Sequence, residues 1–207
     1  MSVLLVLVPD SGKAQAFGQF TPASISSEGE GGLFLLAGND AFRTGAMTRF
    51  SINGRSDFGI HLGIERCSEQ TSKGLGGDLK ILFYRRTDAF PIDVAGDASI
   101  IHLRSDEIRS LVIGGHLLMS SRFEGVLLVP FEPYLSVNLL FTDFSPREAK
   151  VYLPMSCCNP GEDQGKTRFD TGIRLGARFF LGRDIQAIME TDISRRTFIG
   201  GGINFIF

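Results

Sequence analysis

Long stretches of this chain alternate apolar and polar side chains with a period of two, and no apolar run approaches the ~18–20 residues of a membrane helix. The longest clean case is Phe131 to Asp143. Phe131, Pro133, Leu135, Val137, Leu139 and Phe141 fall on one face, and Glu132, Tyr134, Ser136, Asn138, Leu140 and Thr142 on the other. A two-residue period is that of an extended strand. The run exceeds the ~9–11 residues that a tilted strand needs to cross a bilayer, and the ~5–6 of an ordinary globular strand. Two architectures satisfy such a pattern: a soluble β-sandwich with its bulk inward, or a closed barrel with lipid outside and a polar lumen.

The same alternation recurs. Thr44 to Asn53, Asp57 to Arg66, Asp78 to Arg86, Val94 to Leu103, Arg109 to Ser121, Thr167 to Leu181 and Asp184 to Ser194 all read as strands, with a first extended run at Gly31 to Gly38. Asn53-Gly54, between two alternating runs, supplies the positive φ of a tight hairpin. Cys67 to Gly77 reads as a polar loop, and Phe144 to Lys166 as the longest interruption, in which Lys150 to Leu153 extends a strand. Arg122 to Pro130 fits no face, because Val126 to Val129 is apolar on both.

The last run, Thr197 to Phe207, reads TFIGGGINFIF. A strand that closes on an aromatic residue needs apolar surroundings where a soluble domain usually frays. Gly202, Phe205 and Phe207 make a glycine, two spacers, an aromatic, one further residue and a terminal Phe. This resembles the closing strand of bacterial outer-membrane β-barrels. The resemblance implies an all-β fold: a closed, antiparallel, up-and-down transmembrane barrel of about ten strands, roughly eight to twelve being compatible with the pattern. It implies both termini in the periplasm, an outer-membrane location, outer-membrane lipids as surroundings, and Gly202, Phe205 and Phe207 as a signal read by the barrel-assembly machinery.

On that reading residues 31–207 form the barrel. Residues 1–16 resemble the remnant of a secretory signal peptide, with an apolar run from Val3 to Val8 and Ala14-Gln15-Ala16 before Phe17. Residues 17–30, rich in Ser, Gly and Glu, read as a periplasmic tether. Counting strands back from the C-terminus puts the turns at Gly182-Arg183, Arg122 to Pro130, Thr87 to Asp93 and Asn53 to Ser56 at one end. Cys67 to Gly77 and Phe144 to Lys166 fall at the other, outer end.

Parity sends Arg49, His61, Glu65, Lys80, Glu132, Arg174, Arg178, Glu190 and Asp192 inward, where opposite charges pair and fill a narrow lumen. Arg174 and Arg178 are expected to pair with Glu190 and Asp192 on the next strand. Cys67, Cys157 and Cys158 lie on the outer side, so one disulfide is expected among them. Their spacing is not that of a metal site, and no metal or cofactor is expected. His61, His102 and His116 are scattered, and no catalytic constellation can be read from spacing.

A formal net charge of −2 gives no reason to expect nucleic acid as a partner. The expected role is a non-enzymatic structural or surface protein of the envelope, a monomer. A narrow solute channel, an outer-rim hydrolase acting on protein or lipid A, and a soluble β-sandwich binding module stay open as alternatives.

Overall fold

The computed structural model describes residues 20–25, 28–38, 41–67, 70–106, 108–146, 167–194 and 196–207. Ten antiparallel strands close into one barrel: β1 (Glu30–Gly38), β2 (Ala41–Ser51), β3 (Ser56–Cys67), β4 (Gln70–Tyr84), β5 (Asp93–Arg104), β6 (Ile108–Ser120), β7 (Phe131–Pro146), β8 (Thr167–Phe180), β9 (Ile185–Ile193) and β10 (Thr197–Ile206). Each strand pairs with its sequence neighbours, and β1 meets β10 from Glu30↔Ile206 to Gly38↔Phe198. Closure leaves no strand edge unpaired, the condition for a sheet surrounded by lipid.

The barrel is inverted relative to a soluble domain. Leu33, Leu62, Leu75, Ile113, Leu139, Ile173 and Ile203 stand exposed on its outer wall, while Arg43, Arg49, Lys80, Glu132, Arg174 and Glu190 are buried inside. On β7 the outward residues from Phe131 to Phe141 are apolar. At ~3.3 Å per residue and a tilt of roughly 40°, that run makes a band about 25 Å tall, the height of the apolar belt of an outer-membrane barrel. Aromatic residues cluster at the end that carries the C-terminus. Phe131 stacks between Phe123 and Phe179 (ring centroids 5.4 and 6.3 Å), Tyr84 meets Phe90 edge-on, and Phe207 meets Phe50 edge-on.

The connections at that end are the ones expected from parity. Between β2 and β3, Gly54 takes φ 65°, and the Asn53 side-chain oxygen accepts hydrogen bonds from Arg55 N (3.1 Å) and Ser56 Oγ (2.8 Å). The connection between β6 and β7, which fits no face in the sequence, continues the hairpin through a Phe123↔Phe131 bridge and turns at Gly125, φ 78°.

Two expectations are corrected. Residues 70–77 are not a polar loop: β4 runs from Gln70, in register with β3 down to Cys67↔Gln70. Gly74, Gly76 and Gly77 suggest a loop in the sequence, but there they permit close backbone approach. A Cβ on Gly76 would lie 2.6 Å from Ile101 Cγ1 and 2.8 Å from the Ile100 carbonyl oxygen. Nor do residues 20–25 belong to a tether outside the barrel, because Phe20, Thr21 and Ala23 are buried in its interior. The expected signal segment, residues 1–16, and the extension at 150–153 lie outside the described residues.

Candidate functional site: the charged lumen

Because side chains alternate, every second residue of each strand must project into the barrel, and there water is replaced by other side chains. A charge in that setting is stable only if paired and hydrogen-bonded. The interior is built as a set of such pairs.

The most connected group sits toward the C-terminal end. Arg49 on β2 pairs with Asp57 on β3 and, at 2.6 Å, with Asp78 on β4. His61 meets the other oxygen of Asp78, and Lys80 lies 3.1 Å from Asp57. Arg178 on β8 reaches Glu30 on β1 at 3.5 Å. Arg174 holds both Glu190 (3.1 Å) and Asp192 (3.2 Å) on β9, and Glu190 also accepts a hydrogen bond from Tyr134 Oη at 2.7 Å. Toward the other end Arg43 pairs with Glu65 at 3.1 Å and lies 4.0 Å above the Phe198 ring, while Arg168 pairs with Asp170. Ser120 donates to Glu132 at 2.7 Å.

The N-terminal residues complete this interior. Lys80 Nζ donates to Thr21 Oγ1 (2.8 Å) and to the carbonyl oxygens of Pro22 (3.1 Å) and Ser24 (2.9 Å). Phe20 N donates to Glu190 at 3.2 Å, and its ring stacks on Phe34 at 4.7 Å. One ammonium therefore satisfies carbonyls that no sheet can reach, and an apolar ring covers an apolar patch of the inner wall formed by Phe34, Leu36 and Phe198. At the mouth a recess of about 370 Å³ is lined by Ser24, Ile25, Gly54, Leu82, Arg85, Arg86 and Asp93.

All nine charged or histidine residues assigned inward from the sequence, Arg49, His61, Glu65, Lys80, Glu132, Arg174, Arg178, Glu190 and Asp192, project to the interior. The pairing differs in one respect. Arg174 takes both acids of β9, and Arg178 crosses the lumen to Glu30 instead. Asp57, Asp78 and Glu30 were missed by sequence reasoning, although Asp78 shares parity with Lys80 and could have been assigned with it. The role of residues 20–25 carried no periodic signal at all.

A further group, absent from the sequence reading, joins β5, β6 and β7. Ser99 Oγ lies 3.1 Å from His116 Nε2, and His116 Nδ1 lies 2.8 Å from Asn138 Oδ1. Gly114 makes room for it, since a Cβ there would lie 2.5 Å from Ser99 Oγ. The order is that of a nucleophile, a base and an orienting group. Ser99 is only 7% exposed, however, and the three side chains satisfy one another as interior polar groups do.

Cys67, the last residue of β3, is disulfide-bonded, whereas Cys157 and Cys158 lie outside the described residues. His102 faces outward, not into the lumen. Gly202 sits where a Cβ would come 2.6 Å from the Leu33 carbonyl oxygen across the β1–β10 seam. Phe205 and Phe207 are exposed on the outer wall, and Phe207 N donates to Gly29 O at 3.0 Å.

No protein-family model matches the chain, and no curated protein is similar to it. Solved structures do match. The β domain of the Bordetella autotransporter BrkA aligns with a TM-score of 0.52 at 12% identity, over 88% of this chain and 86% of that one. This chain has the fold of the bacterial outer-membrane β-barrels. Other outer-membrane barrels align more loosely. The KdgM porin has a TM-score of 0.43 at 7% identity over 86% of this chain and 99% of its own. Neisserial surface protein A has 0.32 at 10% identity, over 87% and 95%. An outer-membrane barrel fold accounts for both faces of the wall: apolar side chains outside, and paired charges where a soluble sheet would have its core.

Proposed function

We propose that this chain is a non-conducting, non-enzymatic barrel of the bacterial outer membrane, a monomeric structural or surface element. In this reading its short-turn end and C-terminus face the periplasm, and the opposite end faces outward. Outer-membrane lipids surround the apolar wall, and the barrel-assembly machinery reads the closing strand through Gly202, Phe205 and Phe207.

The filled lumen carries this reading. Arg43, Arg49, Phe20, Lys80 and Arg174 are each at most 2% exposed, and residues 20–25 are bound to the inner wall by Lys80 and Glu190. A pore needs a continuous water path, and these groups stand where it would run. The folded protein is therefore expected to give no stepwise conductance in a planar bilayer at neutral pH. Steady single-channel steps from the pure protein would move it to the channel class.

A further inference from the structure

Beyond the apolar band, at the end opposite the C-terminus, three cations stand side by side on the outer wall. Lys73 of β4 is the register partner of Arg104 of β5, and Arg104 is the register partner of Arg109 of β6. All three are exposed. Arg66 of β3, also outward and exposed, pairs with Thr71, two residues along β4 from Lys73. The next outward row toward the membrane is Leu75, His102 and Leu111, and the one after it includes Ile100 and Ile113.

Directly opposed residues of a sheet place their Cβ atoms ~4.5–5.5 Å apart, and like charges at that spacing repel. Among the described residues inside the barrel, Arg43, Arg49, Lys80, Arg168, Arg174 and Arg178 each meet a carboxylate. On this row, among the described residues, Lys73, Arg104, Arg109 and Arg66 make no ion pair or side-chain hydrogen bond. Among the described residues, the acidic residues nearest in register are Asp143, the partner of Leu111 on β7, and Asp106 in the β5–β6 connection. A row of unneutralised cations, one outward position (two residues) beyond a lipid-facing wall, lies at the level where lipid headgroups pack.

We propose that Lys73, Arg104 and Arg109, flanked by Arg66 and His102, form a binding site for the phosphorylated headgroup of a lipid in the leaflet at that end of the barrel. The chemistry fits. A phosphate supplies several acceptor oxygens, arginine forks match phosphate in two parallel hydrogen bonds, and lysine adds a compact charge between them. The acyl chains of the same lipid would lie along Leu75, Ile100 and Ile113, so one molecule satisfies both rows. This assignment rests on the membrane reading above.

The test compares the folded full chain with the K73Q/R104Q/R109Q variant in zwitterionic detergent, titrating in bis-phosphorylated lipid A, the same lipid stripped of phosphate, or inorganic phosphate alone. Native mass spectrometry reads retention of the ligand. Wild type is expected to bind lipid A saturably, and the variant at least about tenfold more weakly. The dephosphorylated lipid and millimolar inorganic phosphate are expected to leave the site empty. Equal retention by the variant, equal binding of the dephosphorylated lipid, or saturation by inorganic phosphate would each overturn the assignment.

Without lipid A the variant is expected to resist urea at least as well as wild type, because the opposed cations are gone. A less stable variant would contradict the repulsion on which the site rests. Both proteins must show the gel shift on boiling of a closed barrel. A wild-type chain without that shift would overturn the membrane reading itself, and the site with it.

Discussion

Replacing Arg49 by methionine is expected to destabilise the folded barrel by about 3–5 kcal/mol, the cost of removing one partner from a buried charge group. Arg49 is 1% exposed and joins β2, β3 and β4 through Asp57 and Asp78, both buried. Methionine fills much of the volume but leaves Asp78 paired with His61, and Asp57 with Lys80. Because Lys80 also holds residues 20–25, the loss extends to the segment that fills the lumen. Urea unfolding in lipid vesicles measures the effect. Adding Asp78→Asn to Arg49→Met should recover part of it, since the amide carries no uncompensated charge. A loss below about 1 kcal/mol, the value of an exposed pair, would mean that water reaches Arg49 and that the lumen is open.

The second large effect is expected on the opposite face. Leu62 lies midway along β3, exposed on the outer wall between Ile60 and Ile64, with Phe58 toward one end and Arg66 toward the other. Leu62→Arg is expected to cost about 2–4 kcal/mol, because a guanidinium near the bilayer midplane must deform the bilayer or reach its surface. Leu128 is at least as exposed but lies in the turn between β6 and β7, and Leu128→Arg is expected to cost about 0–1 kcal/mol. In a soluble sheet both positions would face water, and arginine would be tolerated equally at each. Unfolding of the two variants in the same vesicles therefore separates lipid from water as the neighbour of Leu62.

How far the fold could be read from sequence follows from where periodicity survives. Along Asp57 to Glu65 and Phe131 to Thr142 each outward residue is apolar and, Leu140 apart, each inward one is polar or small, so strand, face and register were legible together. Parity then assigned Arg174, Glu190 and Asp192 to the lumen without any knowledge of their partners. Periodicity failed at 70–77, where small residues on both faces hide a strand, and glycine had been chosen for backbone approach rather than for a turn. It failed again at residues 20–25, whose position depends on hydrogen bonds from Lys80, which lies 59 residues from Thr21 in sequence, and on stacking with Phe34. The Ser99, His116 and Asn138 group escaped for a related reason. Each residue lies on a different strand, and only the register of β5, β6 and β7 brings them together. The cationic row likewise needs register: Lys73, Arg104 and Arg109 are neighbours in no local window.

The measurement that tests the central claim most directly is heat modifiability of the chain from Phe17 to Phe207, folded in detergent and run unboiled and boiled on a denaturing gel. A closed barrel whose wall is apolar and whose interior is a paired charge network should stay folded in the gel until boiled, and so migrate differently before and after, with β-type circular dichroism in the unboiled sample. Identical migration, from a chain that also stays soluble without detergent, would contradict the account and return the protein to a soluble β-sandwich.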